Sequence, residues 1–142
     1  MSGEGARIVG EAVLEVLDPD VEAVGGMTMG ADPIAMAVAM AARLHHRALN
    51  AFSIRKTTKQ YGTGGRVVGP VSAGMAVAIL EDTTTTGGAA LEAAEAATAA
   101  GLRVIQAVAL VDRSDGRAEE AFDEQSIPYR ALLLPRDLGV KT

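Results

Sequence analysis

The first half of the chain alternates between apolar residues at helical spacing and short apolar runs. Val9, Val13 and Leu17 belong to a stripe that recurs every three or four residues, which predicts an amphipathic helix. Residues 56–70 have no apolar period and contain two glycine clusters, so they are predicted to form a long mobile loop. The other predicted elements are a helix that Ser2 caps and Asp18-Pro19 ends, a strand at 21–24, a helix from Pro33 to about His46 and a strand at 49–55.

The second half of the chain is more regular. Its predicted elements are a strand at 75–80, an Ala-rich helix that ends at Gly101, a strand at 103–112, a short helix at 117–125 and a last strand at 129–134. Strands and helices that alternate in this way predict an α/β fold. We expect a single domain over residues 1–142, whose central, mostly parallel sheet has right-handed crossovers and helices on both faces.

The composition limits what kind of core and environment this fold has. Hydrophobic residues make up 49% of the chain but aromatic residues only 3%, so the core is built from Ala, Val, Leu, Ile and Met. The absence of cysteine excludes disulfides and thiolate metal sites and fits a reducing cytosol. No apolar run approaches the ~18 residues that a membrane span needs, and no leader pattern is present. These features predict a cytoplasmic protein that does not bind a membrane.

The charge is distributed unevenly along the chain. A net charge of −5 argues against nucleic-acid binding, which requires a basic surface. Between Asp32 and Glu81, however, there is no acidic residue, and this window holds six cationic ones. A locally cationic region on an acidic protein indicates a small polyanionic ligand. The six residues are Arg43, Arg47, Arg55, Lys56, Lys59 and Arg66.

The stretch "AILEDTTTTGG", residues 78–88, carries the most specific chemistry. If Glu81 and Asp82 end a strand and Gly88 begins a helix, the backbone amides of residues 83–87 can form an anion-binding nest at the positive end of the helix dipole. Ionised carboxylates are acceptors only, so the acidic pair suits the vicinal hydroxyls of a sugar. A phosphorylated ribose matches both halves of the stretch. On these residues alone, a plain strand-to-helix turn remains an alternative.

Four stretches together resemble a known family. The acidic pair with its Thr/Gly turn is similar to the phosphoribosyl pyrophosphate (PRPP) signature of the type I phosphoribosyltransferases. The loop "RKTTKQYGTGG" at 55–65 resembles the catalytic loop of the orotate phosphoribosyltransferases in particular. "GGMTMGADPIA" at 25–35 is similar to their pyrophosphate-binding loop, and "LVDR" at 110–113 matches a further motif. The resemblance covers residues 6–139.

The resemblance implies an activity and an assembly. Members transfer the phosphoribosyl group of PRPP to orotate, which gives orotidine 5'-monophosphate and pyrophosphate for UMP synthesis. Cations aimed at the departing pyrophosphate stabilise the charge that develops there. Mg²⁺ held mainly by PRPP, without direct protein ligands, shares that role. The catalytic loop closes over the site and reaches the neighbouring subunit, which implies a homodimer.

The resemblance also implies roles for individual residues. Arg55, Lys56, Lys59 and Asp82 are expected to be catalytic. Arg113 and Thr85 are expected to contact orotate. The residues expected to bind PRPP are Glu81, Asp82, Thr83, Thr84, Thr85, Thr86, Gly87, Gly88, Met27, Thr28, Met29, Gly30, Ala31 and Tyr61.

Two departures from the family pattern leave alternatives open. Tyr61 stands where the catalytic loop usually has a histidine. Family members usually have several tens of residues before the first helix, and that hood contributes contacts to the base, so its absence is expected to leave the base pocket thin. Transfer to another base and a catalytically idle PRPP-binding regulatory module are therefore the alternatives to orotate transfer.

Overall fold

The computed structural model describes residues 1–57 and 65–139, which form a sheet with helices on both faces. Within these residues the strands are β1 (Ala23–Met27), β2 (Asn50–Ile54), β3 (Val67–Val68), β4 (Ala76–Thr84), β5 (Arg103–Asp112) and β6 (Tyr129–Leu133). The helices are α1 (Gly3–Val16), α2 (Asp32–Leu44), α3 (Gly88–Ala99) and α4 (Arg117–Glu124), followed by a short 3-10 helix at Pro135–Leu138.

The strand order in the sheet is β3-β2-β1-β4-β5-β6. Every neighbouring pair is parallel except β2 and β3, which are antiparallel. The predicted mostly parallel α/β sheet is therefore confirmed. The order reverses at β1, which pairs with β2 on one side and β4 on the other. In doubly wound sheets, ligands bind beyond the carboxyl ends of the strands at this reversal.

Two apolar clusters lie on opposite faces of the sheet. On one face, Val13 of α1 and Val38 of α2 pack against β1, β4 and β5, and on the other face α3 and Phe122 of α4 do so. The buried residues of α3 are all alanines, namely Ala90, Ala93, Ala94, Ala96 and Ala97. The predicted core of Ala, Val, Leu and Ile is confirmed, but the two phenylalanines Phe52 and Phe122 are also buried in it, and no methionine of the described residues is. In the described part of the chain, no helix is long and apolar enough to cross a membrane.

The largest differences from the predicted boundaries are found in three strands. Strand β1 was expected at 21–24 but spans Ala23–Met27, because it stays paired with β2 as far as the Met27–Ile54 register position. Strand β4 was expected to end at Leu80 but continues to Thr84, because it stays paired with β5 as far as the Thr84–Asp112 register position. The region 56–70 was expected to be loop throughout, yet Val67 and Val68 form a short edge strand paired with Ser53 and Ile54. Pairing partners distant in sequence determine these boundaries, and local composition does not reveal them. Residues 58–64 of the predicted loop lie outside the described residues.

Candidate active site

The acidic pair follows the buried part of β4. Residues 76–80 of this strand are buried, whereas Glu81 is half-buried and Asp82 is exposed. Because β4 is a central parallel strand, its carboxyl end brings both carboxylates to the edge of the sheet where the strand order reverses. The structure thus places the two acidic residues where the sequence predicted a ligand site.

The two carboxyl groups are coupled. Partial burial, followed by the hydrogen bond to Asp82 and the negative charge of Asp82, raises the pKa of Glu81 from 4.5 to about 7. The same hydrogen bond lowers the pKa of Asp82 below its ordinary value of 3.8. Asp82 also accepts a hydrogen bond from the Thr83 amide at 2.7 Å. Below neutral pH the pair therefore carries about one negative charge, on Asp82, and a second charge develops on Glu81 as the pH rises through about 7.

The threonine–glycine turn joins β4 to α3. Thr84 is buried, with 5% of its surface exposed, and its Oγ1 accepts a hydrogen bond from the Gly87 amide at 2.8 Å. Thr86 Oγ1 accepts from the Gly88 amide at 3.1 Å. Gly87 adopts a left-handed conformation with a φ of 87°, which a residue with a side chain rarely adopts. Thr84 thus builds the turn from inside, while Thr83, Thr85 and Thr86 are exposed on it.

Some backbone amides of this turn are already hydrogen-bonded and others are not. Thr83 donates to Asp82 and Gly87 donates to Thr84. The amides of Thr85 and Thr86 have no acceptor among residues 1–57 and 65–139. They precede the N-terminus of α3, where unpaired amides and the helix dipole favour an anion. The predicted nest of residues 83–87 therefore has its unpaired donors at Thr85 and Thr86.

The loop after β1 lies directly against the acidic pair. A Cβ atom on Gly30 would be 3.1 Å from Asp82 Oδ1, so a side chain at position 30 would crowd the carboxylate. The Thr28 amide donates to the Ile54 carbonyl at 2.8 Å, and Thr28 Oγ1 donates to Asp32 Oδ2 at 2.7 Å. The Thr28–Met29 peptide bond is cis. These contacts bring the predicted pyrophosphate loop and the predicted ribose-binding residues to one site.

Sequence comparison shows the family to which this chain belongs. No protein-family model matches it. Over 141 residues it is 43% identical to an orotate phosphoribosyltransferase of Streptomyces avermitilis, covering 99% of this chain and 78% of the relative. An orotate phosphoribosyltransferase of Corynebacterium glutamicum is 40% identical over 141 residues, covering 99% of this chain and 74% of the relative. The chain belongs to the orotate phosphoribosyltransferase family.

Solved structures give the same result. Mycobacterium tuberculosis orotate phosphoribosyltransferase in complex with PRPP matches with a TM-score of 0.84 and 34% identity, over 96% of this chain and 77% of that structure. A phosphoribosyltransferase from Corynebacterium diphtheriae matches with a TM-score of 0.87 and 37% identity, over 98% of this chain and 80% of that structure. The fold is thus that of the type I phosphoribosyltransferases, as the resemblance implied.

The basic loop of this family member starts at the end of β2. Arg55 and Lys56 follow β2 directly, and Arg55 Nη1 donates to the Gly65 carbonyl at 3.3 Å. The Arg55 amide donates to the Arg66 carbonyl at 2.8 Å, which joins the two ends of the loop. Lys59 and Tyr61 lie outside the described residues. Their assignments to catalysis and PRPP binding stay predictions.

Arg113 lies at the end of the neighbouring strand, β5. Its amide donates to the Thr84 carbonyl at 2.8 Å, so the residue expected to contact orotate is hydrogen-bonded to the end of β4, next to the threonine–glycine turn. Before it, the buried Asp112 accepts from Tyr129 Oη at 2.8 Å and from the Ser114 amide at 2.6 Å. Burial raises the pKa of Tyr129, as do its hydrogen bond to Asp112 and nearby negative charge. Tyr129 therefore remains a neutral donor.

Sequence reasoning missed several residues that support the site. Asp112 and Tyr129 fix the turn that carries Arg113, and no short motif predicts their contact across two strands. Arg66 was noticed only as one of six cations. Its position one residue after a glycine cluster, at the end of the basic loop, was the available signal.

Proposed function

We propose that this chain transfers the phosphoribosyl group of PRPP to orotate, which gives orotidine 5'-monophosphate and pyrophosphate in pyrimidine synthesis. The observation that carries the proposal is the contact between the loop after β1 and the acidic pair after β4, where Gly30 lies directly against Asp82. Family membership and the basic residues at the end of β2 support the same activity. We place PRPP and orotate at the loops that follow β1, β2 and β4.

Ribose and 5-phosphate are assigned to the β4–α3 segment. Asp82 is the charged member of the acidic pair, so it accepts hydrogen bonds from a ribose hydroxyl. We assign the hydrogen bond with the second, vicinal ribose hydroxyl to Glu81. The unpaired amides of Thr85 and Thr86, together with the N-terminus of α3, receive the phosphate. We assign the pyrophosphate to the backbone of residues 27–31 and the orotate carboxylate to Arg113.

Departure of pyrophosphate is the step that the basic residues assist. Negative charge grows on the pyrophosphate oxygens as the bond to C1 of the ribose breaks and a ring nitrogen of orotate forms the new bond. Fixed cations that face this charge lower the barrier more than they stabilise bound PRPP. We assign this role to Arg55, Lys56 and Lys59. Arg55 and Lys56 follow directly after β2, and β2 is the neighbour of β1, which the proposed pyrophosphate loop follows.

The donor set at the site fits Mg²⁺ carried by PRPP. Among residues 1–57 and 65–139, no group of three or more His, Cys, Asp or Glu side chains is arranged to hold a metal ion alone. Mg²⁺ commonly binds through substrate phosphates and one or two carboxylates. Asp82 is exposed here, and the buried Asp32 Oδ1 has no hydrogen-bond partner in the described part of the chain. When bound, Mg²⁺ would neutralise charge on the pyrophosphate, and Asp82 is the carboxylate placed to accept from its hydration shell.

Assembly and location belong to the proposal as well. We propose a homodimer in which the basic loop is shared across subunits, a single domain over residues 1–142 and a cytoplasmic location. The hydrogen bond between the Arg55 amide and the Arg66 carbonyl supports the first point, since it places the start and the end of the basic segment beside β3, the edge strand of the sheet. Sedimentation of the purified protein tests the dimer.

The experiment that tests the activity measures pyrophosphate released from PRPP and Mg²⁺ with orotate, other pyrimidines, purines or no base. We expect release with orotate. Release only with another base would overturn the substrate, and PRPP binding without any release would indicate the idle regulatory module. Asp82→Asn should weaken PRPP binding, whereas Asp20→Asn, an exposed carboxylate at the amino end of β1, should leave it unchanged. Lys59→Ala should lower turnover and leave PRPP binding almost intact.

A further inference from the structure

Arg66 lies where the chain returns from the basic loop to strand β3. Its side chain is only 23% exposed, which is low for an arginine beside an edge strand. Nε donates to the Arg55 carbonyl at 2.8 Å, and Nη2 donates to the Lys56 carbonyl at 3.0 Å. One side chain at the end of the loop therefore holds the backbone of both basic residues at its start.

Backbone pairing reinforces this contact. The Arg55 amide donates to the Arg66 carbonyl at 2.8 Å, so the two arginines exchange hydrogen bonds in both directions. Arg66 Nη2 also lies 3.8 Å from the sulfur of Met27, the last residue of β1. The Arg66 side chain thus lies between the start of the pyrophosphate loop and the start of the basic loop.

Glu92 of α3 forms an ion pair with the same guanidinium group. Arg66 Nη2 donates to Glu92 Oε1 at 2.7 Å, and Glu92 is 51% exposed. Charge-assisted hydrogen bonds of this length are stronger than neutral ones, although an exposed partner weakens the ion pair. Helix α3 begins at Gly88, directly after the threonine–glycine turn to which we assign the 5-phosphate. The ion pair therefore links the helix behind that turn to the base of the basic loop.

We infer that Arg66, oriented by Glu92, is a positioning residue that holds Arg55 and Lys56 in place for pyrophosphate departure. The inference rests on the proposed function. Nε and Nη2 of Arg66 both donate to protein acceptors, two of which are the backbone carbonyls of Arg55 and Lys56, so Arg66 acts through the backbone of these neighbours. A misplaced catalytic group costs rate even when substrate still binds.

A double-mutant cycle tests this inference. The variants are Arg66→Ala, Glu92→Ala and the two combined, with Glu92→Gln as the conservative change that keeps an acceptor. Glu95→Ala is the matched control, since Glu95 is an exposed glutamate on the same helix without a side-chain partner among the described residues. The measurements are kcat and the KM for PRPP in orotate-dependent pyrophosphate release, with the melting temperature as a check on folding.

We expect Glu92→Ala to lower kcat by roughly tenfold and to change the KM for PRPP by less than about threefold. In the Arg66→Ala background, Glu92→Ala should have no further effect, because the residue through which it acts is gone. Glu92→Gln should recover most of the lost kcat. The inference is overturned if Glu92→Ala matches the Glu95→Ala control, or if the effects of the two substitutions on kcat multiply.

A second measurement separates this inference from the proposed function. Hydrogen exchange at the Arg55 amide reports the pairing with Arg66 without any substrate. We expect faster exchange in Glu92→Ala than in the wild type, and unchanged exchange in Glu95→Ala. If the wild-type protein released no pyrophosphate, the proposed function would fail, and the exchange result would still decide whether Glu92 holds the base of the loop. Equal exchange in both variants would overturn the positioning role.

Discussion

Glu81 and Asp82 are adjacent at the carboxyl end of β4, where partial burial and the contact with Asp82 raise the pKa of Glu81 to about 7, while a hydrogen bond from Glu81 lowers the pKa of Asp82. Under the proposed function, the two acidic side chains beside a polyanionic ligand carry about one negative charge between them below neutral pH and gain a second as the pH rises through about 7. Partial burial keeps the proton on Glu81, so Asp82 is the stronger acceptor. If the pair binds the ribose as proposed, protonation of Glu81 reduces the repulsion between the pair and the phosphate groups of PRPP.

The first prediction concerns the stability of Glu81→Gln as pH changes. The pKa of Glu81 is raised to about 7 in the folded protein, so its favourable contribution is complete below 4.5 and is lost as pH rises through 7. Glutamine cannot ionise and can still donate to Asp82. We expect the variant to gain stability relative to wild type between pH 5 and 8, by about 1 kcal/mol after solvent screening. Urea unfolding at several pH values measures this.

The lowered pKa of Asp82 does not interfere with this test. Its effect falls below the ordinary value of 3.8, where the stabilisation is lost as pH falls, and so lies outside the measured window. If the difference between Glu81→Gln and wild type stayed constant from pH 5 to 8, Glu81 would not hold the proton.

The second prediction is that Gly30→Ala weakens PRPP binding without destabilising the fold. The new methyl group would lie 3.1 Å from Asp82 Oδ1 and push the carboxylate away from its present position. We expect the KM for PRPP to rise by about tenfold, the effect of losing roughly 1.4 kcal/mol of binding energy. Gly3→Ala, with no atom near its added Cβ, serves as the control and should leave the KM unchanged.

The third prediction is that Gly87→Ala destabilises the protein. Its φ of 87° is unfavourable for alanine, and a Cβ there would lie 3.1 Å from Ala118 Cα. We expect a loss of about 1–3 kcal/mol in the free energy of unfolding. Gly116→Ala has the same φ of 87° but open space around the added atom, so it reports the backbone strain alone. Equal losses in the two variants would show that the contact with Ala118 does not matter.

The fourth prediction concerns Tyr129→Phe. Phenylalanine retains the stacking on Phe122, at a ring-centroid distance of 5.3 Å, but leaves Asp112 without the Tyr129 hydroxyl. We expect a loss of about 1–3 kcal/mol in the free energy of unfolding, because a buried carboxylate oxygen loses its donor. The KM for orotate should rise as well, since Asp112 fixes the turn around Arg113. Ser72→Ala, which removes an exposed hydroxyl, should change neither quantity.

The parts of this structure that the sequence predicts are those governed by local pattern. The alternation of apolar runs with helical spacing predicts the α/β class because each element must bury one face against the sheet. The turn before α3 was predicted because Gly87 and Gly88 permit it and threonines favour it. The acidic pair then falls at the edge of the sheet, since the strand before it is central and parallel.

The parts that it does not predict depend on contacts between distant residues. Gln106 interrupts the apolar run of β5, yet it is buried because it bonds the Val16 carbonyl and the Asp18 amide at the end of α1. The contact of Arg66 with Glu92 joins residues 26 positions apart on different elements. Helical or strand periodicity carries no information on such pairs, so they emerge only once the fold is known.

The reversal of strand order at β1 determines how much of the chain must be synthesised before the loop after β1 and the acidic pair of β4 can meet. The loop after β1 and the acidic pair of β4 come from opposite halves of the sequence, and they meet only through the β1–β4 ladder. A nascent chain that ends before Glu81 has the loop after β1 but lacks the acidic pair to which we assign the ribose. Under the proposed function, synthesis must therefore pass the middle of the chain before the two halves of the binding site can meet.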